Sequence, residues 1–337
     1  MNKFITQLPQ ELRERLKIDI PLAELTTFKV GGPADFYFEP ESVDEIAMLY
    51  RFAYENSIDV TVLGNGSNVV VADAGIRGLV IGLRHNFSEL EFLGLKELPI
   101  NHAQCRSLKR FAENFPNTPL YCDFGADPVF LRAQAGAKLA DTSRAACARG
   151  LTGLEFACGI PGSVGGAVYM NAGAYGNSIE DVVVLTKSMD IAGNIYWKIG
   201  SEHDFAYRHS CFSAAGQIVL ETFFALRSGI PGDIDERCAD YTSRRQASQP
   251  LELPSAGSMF KRPRGYFAGK LISDAGLKGH QVGGAAVSEK HAGFVVNLGM
   301  AKATDIKILV KEIQMTVFRQ FGVQLEPEVR FIGDWDK

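Results

Sequence analysis

At 337 residues the chain is long enough for about two domains, or three. Its 46% hydrophobic and 22% charged residues are those of a globular protein, and a net charge of −4 gives no electrostatic case for a nucleic-acid or anionic-membrane partner. No run of about 18 apolar residues predicts a membrane span, and the first residues have neither the apolar run nor the cleavage site of a leader.

Cys105, Cys122, Cys147, Cys158, Cys211 and Cys238 are scattered without a Cys-x-x-Cys pair, so no metal site and no disulfide framework is expected. A reducing cytoplasm is the simplest compartment for such a chain. Residues 1–22 are polar, contain Pro9 and Pro21, and predict one short surface helix. Residues 34–40 read as a strand between breakers. Ser42 and Glu45 form a capping box for a helix over 43–55. A strand at 60–63 runs into Gly64-Asn65-Gly66-Ser67-Asn68, and the apolar 69–71 follows at once. A dinucleotide-binding Rossmann loop opens a helix, and a P-loop carries Gly-Lys-Ser/Thr; this turn does neither. A nest of amides for phosphate and an ordinary hairpin turn both remain open for it.

Residues 78–83 predict a strand, and 94–125 an irregular excursion without a chemical pattern. A strand at 129–135 and a helix at 138–149, with Gly150 as its C′ residue, come next. Residues 153–176 hold seven glycines and few charges. Glycine lets main-chain amides approach a ligand without a Cβ in the way, although tight turns between strands would use the same residues. A hairpin follows, 182–190 with 194–199 through Gly193, and then a strand at 218–226. Residues 228–232 read as a linker and domain boundary, and 234–247 as a helix stopped by Pro250. Residues 254–263 read as a polar loop and 268–275 as a helix ended by Gly276. Thr304 is expected to cap a helix with Ile306, Leu309, Ile313, Val317 and Phe321 on its apolar face, and residues 325–332 close the chain as a strand.

Seven motifs occur in order: Thr-Phe-Lys-Val-Gly-Gly-Pro (27–33), Gly-Asn-Gly-Ser-Asn (64–68), Gly-Ile-Pro-Gly-Ser-Val-Gly-Gly (159–166), Asn-Ala-Gly-Ala-Tyr-Gly (171–176), Tyr-Arg-x-Ser (207–210), Gly-Ser-x-Phe-Lys (257–261) and Glu-Pro-Glu-Val-Arg (326–330). Together they resemble the UDP-N-acetylenolpyruvoylglucosamine reductases, flavoenzymes of bacterial cell-wall precursor synthesis, over roughly residues 23–333. The uninterrupted stretch from Gly265 to Asn297 is similar to the type II branch, which lacks an extra substrate-covering loop. Two departures stand out. The 94–125 segment is longer than the family's usual connection, and Ser248 stands where many members have lysine, so that one diphosphate contact is either absent or supplied by Lys261, Arg262 or Arg264.

The resemblance implies an α+β fold: a two-lobed FAD-binding module of the vanillyl-alcohol-oxidase type, then an α+β substrate-binding domain. Its ranges would be an N-terminal segment at 1–22, the flavin module at 23–228 with lobes of about 23–84 and 85–228, and the substrate domain at 229–333, whose closing strand returns to the active site. FAD would be held without a covalent bond, which agrees with the absence of histidine from both glycine loops. The implied flavin contacts are Gly64, Asn65, Gly66, Ser67 and Asn68, then Gly159, Ile160, Pro161, Gly162, Ser163, Gly165 and Gly166, then Asn171, Gly173, Ala174 and Tyr175.

The implied reaction takes hydride from NADPH through FAD to the β-carbon of an enolpyruvyl ether on a UDP-sugar. Arg208 would pair with the substrate carboxylate, Ser258 would give a proton to the α-carbon, and Glu328 would support the site. Tyr207, Lys261 and His291 are further candidates for substrate contacts. The expected state is a monomer or weak oligomer. A flavin-dependent alcohol oxidase or dehydrogenase, and a UDP-sugar-binding protein without activity, are the competing readings; Ser258 and Glu328 speak against the first, and the three residues together against the second.

Overall fold

The computed structural model describes residues 5–6, 8–99 and 129–335. The 100–125 part of the expected excursion, with Cys105 and Cys122, lies outside them. The chain divides into two compact units: a terminal unit of Pro9–Phe38, Asp59–Ile81 and Arg244–Lys337, and a middle unit of Met1–Leu8, Glu39–Ile58 and Gly82–Ser243.

In the terminal unit, one sheet has the strand order Lys17–Pro21, Pro33–Phe38, Ile76–Gly82, Val60–Leu63. Leu22, Ala34, Tyr37, Leu63, Val71 and Val80 form its core. The expected single helix over 1–22 is corrected: Gln10–Arg15 is helical, but Lys17–Pro21 pairs antiparallel with Pro33–Phe38. That strand is an exposed edge, and its one apolar alternation, Ile18 and Ile20 before Pro21, is too short to announce it.

A second sheet of this unit has the order Ser255–Ser258, Phe294–Asn297, Ala285–Val287, Gln281–Val282, with every pairing antiparallel. Its first strand takes up residues 255–258 of the loop expected at 254–263. The Ala268–Asp274 and Ala303–Phe321 helices share a core with it, built on Ile272, Val295, Ile306, Leu309, Ile313 and Val317. Thr304 does not cap the long helix. Lys302 is at the cap position and its N–H donates to the Asp305 carboxylate at 2.9 Å. The Thr304 hydroxyl instead donates to Asp73 at 2.7 Å, and the N–H groups of Ala303 and Thr304 donate to the same carboxylate. Burial works to raise the Asp73 carboxyl, but these bonds, with the Lys302 charge, outweigh it and hold it below the ordinary range.

In the middle unit the principal sheet is antiparallel, in the order Ile195–Ile199, Val183–Met189, Ile218–Ser228, Val129–Gln134, Leu90–Leu93. The expected hairpin is present, with Gly193 at φ 84 and Asp190 accepting from the N–H groups of Ala192 and Asn194. The 43–55 helix also forms as expected: the Ser42 hydroxyl accepts from the Glu45 N–H at 3.2 Å. Glu45 completes the box one residue early, on the N–H of Glu41. The expected linker shrinks to two residues, because the sheet strand runs to Ser228 and the next helix, Pro231–Ser248, starts on a proline.

His203 is fully buried beneath this sheet's edge, stacked on Phe205. Its Nδ1 lies 2.7 Å from the Gly200 carbonyl and its Nε2 2.9 Å from the Thr186 hydroxyl, a pairing a neutral ring satisfies at both nitrogens. Burial pushes its pKa down to about 4. Unfolded, the ring titrates near pH ~6.5. The stabilisation is therefore fully present above pH ~6.5 and is lost as the pH falls through about 4, about 3 kcal/mol in all. Urea unfolding between pH 7 and pH 4 should show this slope, and His203→Gln should flatten it.

Candidate active site

In the terminal unit the first glycine loop joins Val60–Leu63 to Val69–Val71, and these two strands belong to different sheets. The hairpin reading of Gly64–Asn68 is thereby excluded. Val69–Val71 pairs instead in parallel with Arg330–Ile332 at the far end of the chain. Gly66 sits at φ 60, and a Cβ there would come within 2.4 Å of the Leu25 carbonyl oxygen. Thr27 donates its N–H to the Gly66 carbonyl at 3.1 Å and its hydroxyl to the Ser255 carbonyl at 2.7 Å. It thus ties the loop to the strand that carries Ser258. Asn68 closes the loop on the other side: its side-chain amide donates to the Glu328 carbonyl at 3.3 Å, and its own carbonyl accepts from the Arg330 N–H. Among the described residues, the N–H groups of Gly66 and Ser67 and the Ser67 hydroxyl have no partner in the protein.

Ser258 ends its strand opposite Phe294 and is exposed. The next residue, Met259, donates to the Gly293 carbonyl and accepts from the Glu328 N–H, both at 2.8 Å. Ser258, His291 and Glu328 are thus drawn into one backbone network with Asn68. His291 accepts the Gly293 N–H on Nδ1 at 3.1 Å and packs edge-on to Phe294, and burial pushes its imidazole below the usual range. The closing strand expected at 325–332 is regular only over Arg330–Ile332, so Glu326 and Glu328 lie before it. Pairing separates the two acids: Glu326 is exposed and forms an ion pair with Lys261, whereas Glu328 is half-buried.

In the middle unit the second glycine segment is less of a loop than the sequence suggests. Val164–Tyr169 is a short helix, and the Ser163 hydroxyl accepts from the Gly166 N–H at 3.4 Å. Gly165 donates to the Ala135 carbonyl, and a Cβ on it would lie 2.8 Å from that of Ala135. The N–H groups of Gly162 and Ser163 have no partner among the described residues, and Ser163 is buried. Asn171 uses its side chain inside the protein, on Glu180 and on the Ala206 carbonyl at 3.0 Å. Gly173 and Ala174 pair with Ser178 and Asn177, and Tyr175 follows at φ 56.

Arg208 lies at the tip of a tight turn closed by paired bonds between Ala206 and His209. Its φ is 56, a backbone state that a non-glycine residue keeps only when its surroundings impose it. Here the turn is tied to the glycine segment twice, through Ala206 to Asn171 and through the Ser210 hydroxyl to the Tyr169 carbonyl at 2.8 Å. The guanidinium lies 4.9 Å from the ring centre of Tyr207, which is exposed.

Sequence reasoning missed several residues that organise this site. Thr27 and Asn297 tie loops together, the latter through an amide that donates to the Phe28 carbonyl at 3.1 Å. Glu155 is buried and accepts from Thr152, Gly153 and Arg237; burial works to raise its carboxyl, but these bonds outweigh it and hold it low. Tyr241 stacks on Tyr175 with ring centres 4.3 Å apart. Apart from the bonds of Thr152 and Gly153 to Glu155, these contacts join residues distant in the chain, which spacing alone does not reveal.

Each unit thus presents a glycine loop with two adjacent main-chain N–H groups that find no partner among the described residues. Such pairs suit anionic phosphate oxygens, as a flavin dinucleotide would bring. No group of three metal-ligating side chains occurs among the described residues, nor is any of their helices long and apolar enough to span a membrane.

Comparisons with known proteins agree with this geometry. Residues 34–96 and 125–197 match the model of an FAD binding domain, and residues 249–332 match that of the UDP-N-acetylenolpyruvoylglucosamine reductase C-terminal domain. The chain is 45% identical over 335 residues to the reductase of that name from Agathobacter rectalis, covering 98% of this chain and 99% of the relative. It is 42% identical over 339 residues to that of Staphylococcus aureus, covering 100% and 99%. The crystal structure of the Thermus caldophilus reductase superimposes with a TM-score of 0.71 at 31% identity, over 94% of this chain and 98% of that one. The fold is therefore an α+β flavin-binding module followed by the family's C-terminal domain, and the chain belongs to the UDP-N-acetylenolpyruvoylglucosamine reductase family.

Proposed function

We propose that the protein reduces the enolpyruvyl ether of UDP-N-acetylglucosamine enolpyruvate to the lactyl ether of UDP-N-acetylmuramate, with FAD as cofactor and NADPH as reductant. It would do so in the cytoplasm, as a monomer or weak oligomer. Residues 23–228 hold the flavin in this reading and 229–333 the sugar nucleotide. Hydride transfer, from NADPH and on to the enolpyruvyl β-carbon, is the chemistry that bound FAD supplies.

The protein's share is to orient the substrate, stabilise charge and deliver one proton. Negative charge collects at the α-carbon and spreads into the adjoining carboxylate. Arg208 pairs with that carboxylate, since a guanidinium is always charged and binds two oxygens at once. Ser258 gives its hydroxyl proton to the α-carbon, and Glu328 supports the developing acid. The unpaired N–H groups of Gly66 and Ser67, and of Gly162 and Ser163, take the cofactor phosphates.

The observation that carries the reading is the bond network in the terminal unit. Thr27, Gly66, Asn68, Met259 and Glu328, from four separate motifs, are joined with Ser255 by main-chain and side-chain hydrogen bonds. The network supports a role for Ser258 and Glu328, the neighbours in it that an alcohol oxidase has no need of. The test is spectroscopic. The purified protein should be yellow, lose its flavin absorbance on anaerobic addition of NADPH, and regain it on addition of the enolpyruvyl sugar nucleotide. Bleaching that this substrate does not reverse would favour the oxidase reading, and a colourless protein the binding-protein reading.

A further inference from the structure

The Pro231–Ser248 helix lies outside both matched family models, which end at residue 197 and resume at 249. It is 18 residues long, yet Ile234 is its one buried position. An apolar stripe therefore does not explain where it sits. Specific contacts do, and they come from one helix face, because residues 237, 238, 241 and 242 lie one turn apart. Arg237 reaches back to the Glu155 carboxylate at 2.7 Å and the Thr152 hydroxyl at 3.2 Å. The Cys238 sulfur lies 3.3 Å from that of Cys147, and the Cys158 thiol meets the Cys238 carbonyl and the Thr242 hydroxyl. Tyr241 stacks on Tyr175 with the rings 3° from parallel, and its carbonyl accepts the Tyr175 hydroxyl at 2.9 Å.

These contacts bracket the glycine segment. Glu155 and Cys158 lie just before Gly159, and Tyr175 lies just after Ala174. Between them, the bonds from Leu139 to the Gly162 carbonyl and from Gly165 to the Ala135 carbonyl pin the middle. The unpaired N–H groups of Gly162 and Ser163 therefore stand on a span fastened at both ends by one helix.

We propose that this helix is the clamp that sets the second glycine loop for the cofactor, with Tyr241 and Arg237 as positioning residues that act through Tyr175 and Glu155. The inference rests on the reading that this loop binds FAD. Tyr241 stabilises Tyr175 with its ring face and its main-chain carbonyl, so its own hydroxyl is not needed. Titrating FAD into apoprotein, with flavin fluorescence as the readout, tests the proposal. Tyr241→Ala should weaken FAD binding about tenfold, the loss of a stacked aromatic pair. Tyr241→Phe should bind FAD within about twofold of the wild type. Arg237→Met should weaken it as well, by cutting the other end of the clamp.

At saturating FAD, kcat and the substrate KM of Tyr241→Ala should return to the wild-type values, which a general loss of structure would not permit. Should the alanine variant not fold, Tyr241→Leu keeps the apolar contact without the stacked ring and should show the same loss of affinity. The proposal is overturned if the alanine or leucine variant binds FAD as tightly as the wild type. A wild-type apoprotein that takes up no FAD would overturn the functional reading beneath it, which is a different result.

Discussion

Replacing Ser258 with alanine should leave the bleaching of bound flavin by NADPH intact and slow its reoxidation by the enolpyruvyl substrate by about 10²–10⁴-fold, the range of a positioned proton donor. The two halves of the cycle separate because only the second needs a proton at carbon. The variant is also a clean one. Ser258 is exposed, and its hydroxyl has no hydrogen-bond partner among the described residues. Its strand is held by main-chain bonds that alanine keeps, those of Met259 to Gly293 and Glu328. Stability should therefore change by no more than about 0.5 kcal/mol, as for other exposed substitutions. Stopped-flow absorbance of each half-reaction gives the answer. Equal slowing in both halves would refute the role of proton donor, as would no slowing in either.

The sequence is most legible where the determinants are local. The Ser42–Glu45 cap, the Gly193 hairpin and the apolar stripe of Ala303–Phe321 are each complete within a few residues. It is least legible where a distant partner decides. Val164–Tyr169 contains two adjacent glycines and reads as a loop; it is helical because Val164 and Gly165 are tied to the 135–137 turn. The Thr304 hydroxyl is drawn off by Asp73, which lies far earlier in the chain. The strands at 281–282, 285–287 and 294–297 are too short, and too rich in alanine and glycine around them, to show a period.

The site divides in the same way. Its motifs can be read in order, but the ion pair of Glu326 with Lys261 and the bond of the Glu328 N–H to Met259 cannot. Tyr241 is illegible for the same reason, since its stacking and its carbonyl bond are both to Tyr175, far away in the chain.

Gly66→Ala should destabilise the first glycine loop strongly. Two costs add. At φ 60 the backbone is left-handed, which disfavours any residue with a Cβ by about 1–2 kcal/mol. The new methyl would also lie 2.4 Å from the Leu25 carbonyl oxygen and 2.9 Å from the Thr26 Cα. Both are main-chain atoms that cannot rotate away, so the loop itself must move, an overpacking cost of about 1–3 kcal/mol.

Gly176→Ala is the matched control. Gly176 is also left-handed, at φ 88, but a Cβ there meets nothing within 4 Å. It should show the first cost alone. Urea unfolding of the two variants side by side therefore isolates the clash, and equal losses would mean that the loop can yield at Gly66. The functional consequence follows from the same displacement. Moving residue 66 breaks the bond from the Thr27 N–H to its carbonyl, and with it the link by which Thr27 joins the loop to Ser255. FAD affinity and the placement of Ser258 should then fall together in Gly66→Ala, whereas Gly176→Ala should retain both.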